Sequence, residues 1–199
     1  VKLVAVTKTF DASHIQAGLR VGLQRFGENR VQEGVAKIQQ LGGSASWHLI
    51  GRLQRNKARD AARYFDIVES VDSLRLAKAI DRRAEADSYP VLVQVNLTAA
   101  ETQGGADPGE LPELLGEICT ETRLQVRGLM TIAPLTDHEP TLRSTFARLR
   151  ELRDNLARQF PDAPMQELSM GMTSDFSPAI LEGATIVRIG RAIFGPRSQ

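Results

Sequence analysis

Val91-Leu92-Val93-Gln94-Val95-Asn96 is the clearest strand of the chain, and what surrounds it decides the fold. The run is almost continuously apolar rather than alternating, the pattern of a strand covered on both faces. A glycine-rich loop over 102–109 follows, then a helix over 111–120. The same unit recurs toward the N-terminus. A strand over 67–71 precedes a helix marked by Leu74, Leu76, Ala77 and Ile80, and a strand over 47–51 precedes a helix over 56–64. A brief strand over 25–29 leads into Val31, Val35, Ile38 and Leu41 at three- and four-residue steps. A first strand over 3–8 leads into a helical pattern over 12–23. Toward the C-terminus come a strand over 126–133, a long helix with Leu142, Phe146, Leu149, Leu152, Leu156 and Phe160 on one face, a strand over 166–170, a short helix over 174–181 and a strand over 186–189. Alternating strands and helices imply a parallel sheet. Eight such strands predict a closed (β/α)8 barrel, with an open doubly wound sheet as the alternative, because periodicity does not prove closure.

Composition sets the outer bounds. The 199 residues, 42% hydrophobic and 25% charged, suit a single domain over 1–199 with a sizeable core. A net charge of +1 gives no general attraction to nucleic acid or anionic membrane. The one cysteine, Cys119, excludes an internal disulfide framework and reads as a small core residue on a helix. The histidines His14, His48 and His138 have no metal-ligand spacing. No apolar run reaches the roughly 20 residues that span a bilayer. Val1 opens directly on a strand without a signal peptide, so the cytoplasm is the expected compartment.

Chemistry in such a barrel gathers at the C-terminal strand ends. The shortlist is Lys8, Asn29, His48 with Arg52, Ser70, Asn96, the segments 130–133 and 170–173, and Gly190 with Arg191. Lys8 closes an apolar strand. It reads either as a lysine reaching solvent or as a desolvated amine able to form a Schiff base with an aldehyde. Ser169-Met170-Gly171-Met172-Thr173-Ser174-Asp175 runs from a strand into a helix start, and Arg188-Ile189-Gly190-Arg191 ends the last strand. Hydroxyls, helix N–H groups and a glycine that admits close backbone approach suit a phosphate, and such a site after strands seven and eight is frequent in barrels. The plainer reading is helix capping at Thr173 or Ser174 and a simple turn at Gly190.

Six ordered blocks then carry a resemblance over nearly the whole chain. They are Val4-Ala5-Val6-Thr7-Lys8-Thr9; Phe26-Gly27-Glu28-Asn29-Arg30-Val31-Gln32-Glu33; Trp47-His48-Leu49-Ile50-Gly51-Arg52-Leu53-Gln54-Arg55-Asn56-Lys57; Gly128-Leu129-Met130; Leu168-Ser169-Met170-Gly171-Met172; and Val187-Arg188-Ile189-Gly190-Arg191-Ala192-Ile193-Phe194-Gly195. The sequence resembles the pyridoxal phosphate homeostasis proteins, single-domain relatives of the alanine racemase N-terminal barrel. The resemblance implies a fold type III cofactor barrel without the C-terminal β domain of the racemases. It implies pyridoxal 5′-phosphate in Schiff-base linkage to Lys8. Thr173 and the backbone N–H groups of Gly190 and Arg191 would hold the phosphate, Arg188 would face the pyridine nitrogen, Asn29 would lie near the phosphate and Met130 near the ring. Thr173 stands where family members often have serine, and Arg191 where many have a small hydroxyl residue; the hydroxyl and the backbone contact survive. Ser169 is a further candidate, with a strand position that can point it away.

The resemblance implies a protein that buffers or delivers pyridoxal phosphate, with the cofactor and pyridoxal-phosphate-dependent apoenzymes as partners. An arginine at the pyridine nitrogen cannot accept the ring proton and weakens the electron sink. The second proton-transfer group of the racemases is a tyrosine from the missing domain, and neither Tyr64 nor Tyr89 falls at a strand end. No catalytic residue is therefore assigned. A low-activity pyridoxal-phosphate enzyme acting on amino acids is the alternative, and a Schiff-base aldolase a third reading. His48 is either a proton carrier or a hydrogen-bonded core histidine. Arg52, Arg55, Lys57 and Arg59 read as a solvated face, so nucleic acid is not an expected partner, nor is a membrane. A monomer is expected.

The length is short for a barrel, whose usual size is about 250 residues. Eight strands and seven helices use nearly all of it, and no eighth helix fits after Phe194. Family members usually begin with a helix that covers this part of the barrel. The expectation is therefore a missing N-terminal helix and an exposed apolar seam between the first and eighth strands.

Overall fold

The structure, a computed structural model, describes residues 1–43, 45–98 and 104–195. Its strands are β1 Lys2–Val6, β2 Arg25–Glu28, β3 Ser46–Leu49, β4 Ile67–Val71, β5 Pro90–Gln94, β6 Gln125–Met130, β7 Glu167–Ser169 and β8 Ile186–Ile189. The helices between them are α1 Ala12–Arg20, α2 Val31–Leu41, α3 Ala58–Tyr64 (entered through a 3-10 turn, Arg55–Lys57), α4 Leu74–Asp81, α5 Leu111–Glu121, α6 Glu139–Gln159 and α7 Phe176–Leu181, with α8 Arg191–Phe194 after the last strand. The expected loop over 102–109 begins outside the described residues.

All neighbouring strands pair parallel in sequence order, and β1 closes on β8 through Lys2↔Ile186, Leu3↔Val187, Val4↔Arg188 and Ala5↔Ile189. The barrel is closed, which removes the open-sheet alternative.

Strand alternation sorts the side chains into two populations. Phe26, Trp47, Leu49, Val68, Val91, Val93, Leu129, Leu168 and Val187 point outward into the large core beneath the helices. The inward apolar set is small: Val4, Ile67, Leu92, Met130 and Ile186. Stepping two residues along the same strands puts Glu69 beside Ile67 and Arg188 beside Ile186 on the interior face. By the same parity His48 lies between outward Trp47 and Leu49, and Ser169 follows outward Leu168. The barrel lumen is thus part apolar and part polar.

The helices follow their apolar periodicity. In α6, Leu142, Phe146, Leu149 and Leu156 are buried on one face. Its Arg143 and Arg150 bind the Glu182 carboxylate at the end of α7, at 2.6 Å each, and hold those two helices together. Asp11 caps α1, accepting from the backbone N–H of Ser13 and His14. Two expectations need correction. An eighth helix does exist, as the single turn α8; Phe194 packs on Phe10 with ring centroids 5.3 Å apart and so ties it to the chain leaving β1. Cys119 is exposed rather than part of the core. Val1, just before β1, and Leu3 on it are exposed, as are Phe176, Ile180 and Leu181 on α7 and Ile193 on α8.

Candidate functional site

Lys8 leaves the barrel wall from a fixed point. Thr7, directly before it, is fully buried. Its N–H donates to Gly27 O at 3.0 Å, its hydroxyl donates to Glu28 Oε1 at 2.6 Å, and its carbonyl accepts from Lys37 Nζ at 2.8 Å. Lys37 also donates to Glu28 Oε1, at 2.6 Å. The residue after Lys8, Thr9, has φ +71°, a left-handed conformation that β-branched residues rarely adopt. Lys8 is therefore held between a clamped residue and a strained turn.

Two strands round the barrel from β1, β7 turns sharply at Gly171, with φ +93°, where an added Cβ would lie 2.7 Å from Ala179 Cβ. The turn is closed by the buried Asp175 carboxylate, which accepts from Met172 N–H, and this presents Thr173 and Ser174. Gly190, after β8, needs its small size for another reason. An added Cβ would sit 3.2 Å from Val6 O, so glycine lets the end of β8 lie against β1.

Arg188 is buried on β8, the strand between β7 and β1. It donates from Nη1 to Ser169 Oγ at 2.6 Å and from Nη2 to Thr131 O at 2.7 Å. Burial presses against its charge, and the Glu69 and Asp175 carboxylates support it. A guanidinium in such company stays protonated.

Lys8, Asn29, Thr173, Arg188, Gly190 and Arg191 all line one cavity of about 510 Å3 at the C-terminal mouth of the barrel. Met130 does not line it: the side chain is fully buried in the interior layer below. Its strand parity points it inward, and its depth leaves it under the cavity. Ile50, Ile132, Leu135 and Met172 supply the apolar walls. Ile50 and Leu135 carry no chemical signal in the sequence, since an apolar residue after a strand reads equally well as core.

A larger groove, of about 980 Å3, abuts this cavity and shares Asn29 with it. Arg52, Arg55 and Lys57 line that groove, which puts the basic run on a solvated surface beside the mouth. Size alone does not locate the chemistry, since the amine, the hydroxyl turn and the buried guanidinium all meet in the smaller space. The two tyrosines lie elsewhere. Tyr89 is buried with its hydroxyl on Ala61 O and Phe65 O, and Tyr64 accepts from Gln39. His48 is a hydrogen-bonded interior residue, with Nδ1 2.5 Å from Glu69 Oε1. Ser169 points into the barrel toward Arg188.

A closed parallel barrel with a lysine after its first strand and hydroxyl and glycine turns after its seventh and eighth defines the alanine racemase type of barrel. The family described as alanine racemase, N-terminal domain, matches residues 1–198. Within that class the chain belongs to the pyridoxal phosphate homeostasis proteins. It is 40% identical over 202 residues to the pyridoxal phosphate homeostasis protein of Pasteurella multocida, covering 99% of this chain and 87% of that protein. The Aquifex aeolicus protein of the same name is 41% identical, over 98% and 87% of the two chains. PipY of Synechococcus elongatus, solved with pyridoxal phosphate bound, superposes with a TM-score of 0.91 at 40% identity, over 98% of this chain and 92% of that one. Alanine racemase from Corynebacterium glutamicum, 20% identical with a TM-score of 0.77, shares the fold over 98% of this chain and 57% of its own. No helix among the described residues is long and apolar enough to cross a membrane.

Proposed function

We propose that this protein binds pyridoxal 5′-phosphate reversibly at Lys8 and buffers or delivers it to apoenzymes in the cytoplasm, working as a monomer. The observation that supports this reading is the convergence of Lys8, Thr173, Arg188 and Gly190 on one cavity, in a chain 40% identical to PipY over 98% of its length. The residues fit the cofactor. The cavity offers an amine, hydroxyls, a glycine turn, apolar walls and a buried cation, and its size is that of a small-ligand pocket. When bound, pyridoxal phosphate supplies an aldehyde that condenses with an amine and a ring that withdraws electrons.

The chain's own residues do the rest. Thr7, Glu28 and Lys37 orient Lys8 toward the cavity. The Thr173 hydroxyl and the N–H groups of Gly190 and Arg191 would hold the phosphate, with Asn29 beside them. Arg188 would be the donor at the ring nitrogen and would oppose a proton there. Met130 would act on the ring only indirectly, through the interior layer under the cavity. Neither tyrosine stands opposite Lys8, so the two-base proton transfer of a racemase has no second base from that residue type. This favours holding and handing over the cofactor above turnover of amino acids.

Protein mixed with pyridoxal phosphate is expected to gain a visible absorption band, and borohydride is expected to fix the label on Lys8 in peptide mapping. Lys8→Ala is expected to lose both. A protein that stays colourless and unlabelled overturns the reading. Steady turnover of D- or L-amino acids that Lys8→Ala abolishes would replace the carrier with an enzyme.

A further inference from the structure

Four buried side chains from four strands cross the barrel beneath the cavity. Arg188 on β8 donates to Ser169 Oγ on β7 at 2.6 Å. Ser169 Oγ lies 2.5 Å from Glu69 Oε2 on β4, a residue 100 positions away in sequence. Glu69 Oε1 meets His48 Nδ1 on β3 at 2.5 Å. At one end Arg188 lines the cofactor cavity; at the other His48 lines a small cavity of about 200 Å3 at the barrel floor, beside Lys2, Arg25, Asp66, Arg127 and Glu167.

The direction of every bond follows from donor chemistry. A guanidinium only donates, so Ser169 accepts from Arg188 and its one hydrogen goes to Glu69. An ionised carboxylate only accepts, so His48 Nδ1 carries a hydrogen and donates it. All donors therefore run toward Glu69 from both sides. Burial alone would push the Glu69 carboxyl up. The bonds from His48 and Ser169, with the nearby Arg188 charge, outweigh that and hold it below its ordinary value. A buried guanidinium without a counter-charge is costly, and Glu69 answers it at one hydroxyl's remove.

We propose that Glu69, braced by His48 and joined through Ser169, is the positioning residue that orients Arg188 and sets the charge balance of the cofactor cavity from below. This rests on pyridoxal phosphate binding at Lys8, and it goes beyond that reading by assigning control of the bound ligand's protonation to residues that do not touch it. With Glu69 ionised, the Arg188–Glu69 pair adds no net charge under the ligand. Without it, Arg188 keeps only Asp175 as a nearby carboxylate and the site is one unit more positive, which disfavours protonation of any nitrogen nearby.

The test is the pH titration of the visible absorption of the protein–pyridoxal phosphate complex. Glu69→Gln is expected to lower the midpoint by about one pH unit, the scale of one unit charge lost from a buried site. Ser169→Ala keeps the carboxylate and removes the bridge, so a shift in the same direction and under half the size is expected. His48→Gln is expected to shift it least. A purely packing role would lower thermal stability in all three and leave every midpoint in place. A folded Glu69→Gln protein with the wild-type midpoint overturns the proposal. Should that variant not fold, a wild-type midpoint in Ser169→Ala overturns it equally. Wild-type protein that forms no visible band instead defeats the cofactor reading beneath it, so the two failures are distinct.

Discussion

Glu28 and Glu69 are both fully buried glutamates on strands of one barrel, yet they carry their charge under opposite pressures. Glu28 points into the layer between sheet and helices. Both its donors, Thr7 and Lys37, bond the same oxygen, Oε1, and Oε2 has no hydrogen-bond partner. Burial dominates there and pushes its carboxyl above the ordinary value. Glu69 points into the lumen, and each of its oxygens has its own donor. Burial presses on it too, but the bonds and nearby cations win. The difference teaches that depth does not decide whether an interior carboxylate stays charged. What decides it is how many lone pairs are answered, and by how many cations. The two clusters also divide the labour: one clamps the backbone that carries Lys8, the other supports Arg188.

The widest separation is expected in stability. Glu69→Ala leaves buried His48 and Ser169 without their shared acceptor and takes a counter-charge from buried Arg188, and is expected to cost about 3 to 5 kcal/mol. Glu28→Ala is expected to cost about 1 to 2 kcal/mol: it breaks the bonds from Thr7 and Lys37, but Lys37 keeps Thr7 O as an acceptor and a carboxyl oxygen without a partner is removed. Urea unfolding of both variants measures this, and equal losses would break the comparison.

A smaller effect concerns pH. Relative to the ordinary 4.5, Glu69 sits lower in the folded state, so its contribution is complete above 4.5 and is lost as pH falls through its folded value. Glu28 sits higher, so its contribution is present at low pH and fades as pH rises from 4.5 through its folded value. Unfolding midpoints followed from acid to neutral pH are expected to show the deficit of Glu69→Gln narrowing toward acid. Those of Glu28→Gln are expected to improve against wild type as pH rises. Parallel profiles would show that the two carboxyls titrate alike.

The smallest expected effect sharpens the role of the Glu28 clamp. If clamping Thr7 forces Thr9 into φ +71°, Thr9→Gly relieves strain and is expected to stabilise the protein by about 0.5 to 1 kcal/mol. In a background that already carries Lys37→Met, the same substitution is expected to gain less. An equal gain in both backgrounds would separate the strain from the clamp.

Much of this frame is legible in the sequence. The eight strands fall within a few residues of where their apolar runs predict them, and the lysine, hydroxyl and glycine turns stand at their ends. The rest is hidden for identifiable reasons. One turn of helix, Arg191–Phe194, is too short to show a period. Met130 ends an apolar strand beside candidate site residues, but a period of two gives the face of the sheet and not the height along the barrel axis. Cys119 lies next to buried Ile118 on α5, and one step of 100° separates core from solvent. Glu69 and Ser70 both interrupt an apolar strand, and nothing local tells which of them has a partner across the lumen.

What the sequence determines by itself is therefore the set of short-range properties: which segments are strands and helices, and which polar residues stand at their ends. These depend on neighbours within a few positions. Closure through β1 and β8, the depth of each lumen residue, and the meeting of Glu69 with Ser169 are decided only by the tertiary structure. They arise when strand twist and tilt bring the edges of the sheet together, and until the ring is closed no residue on β4 has a neighbour on β7 or β8.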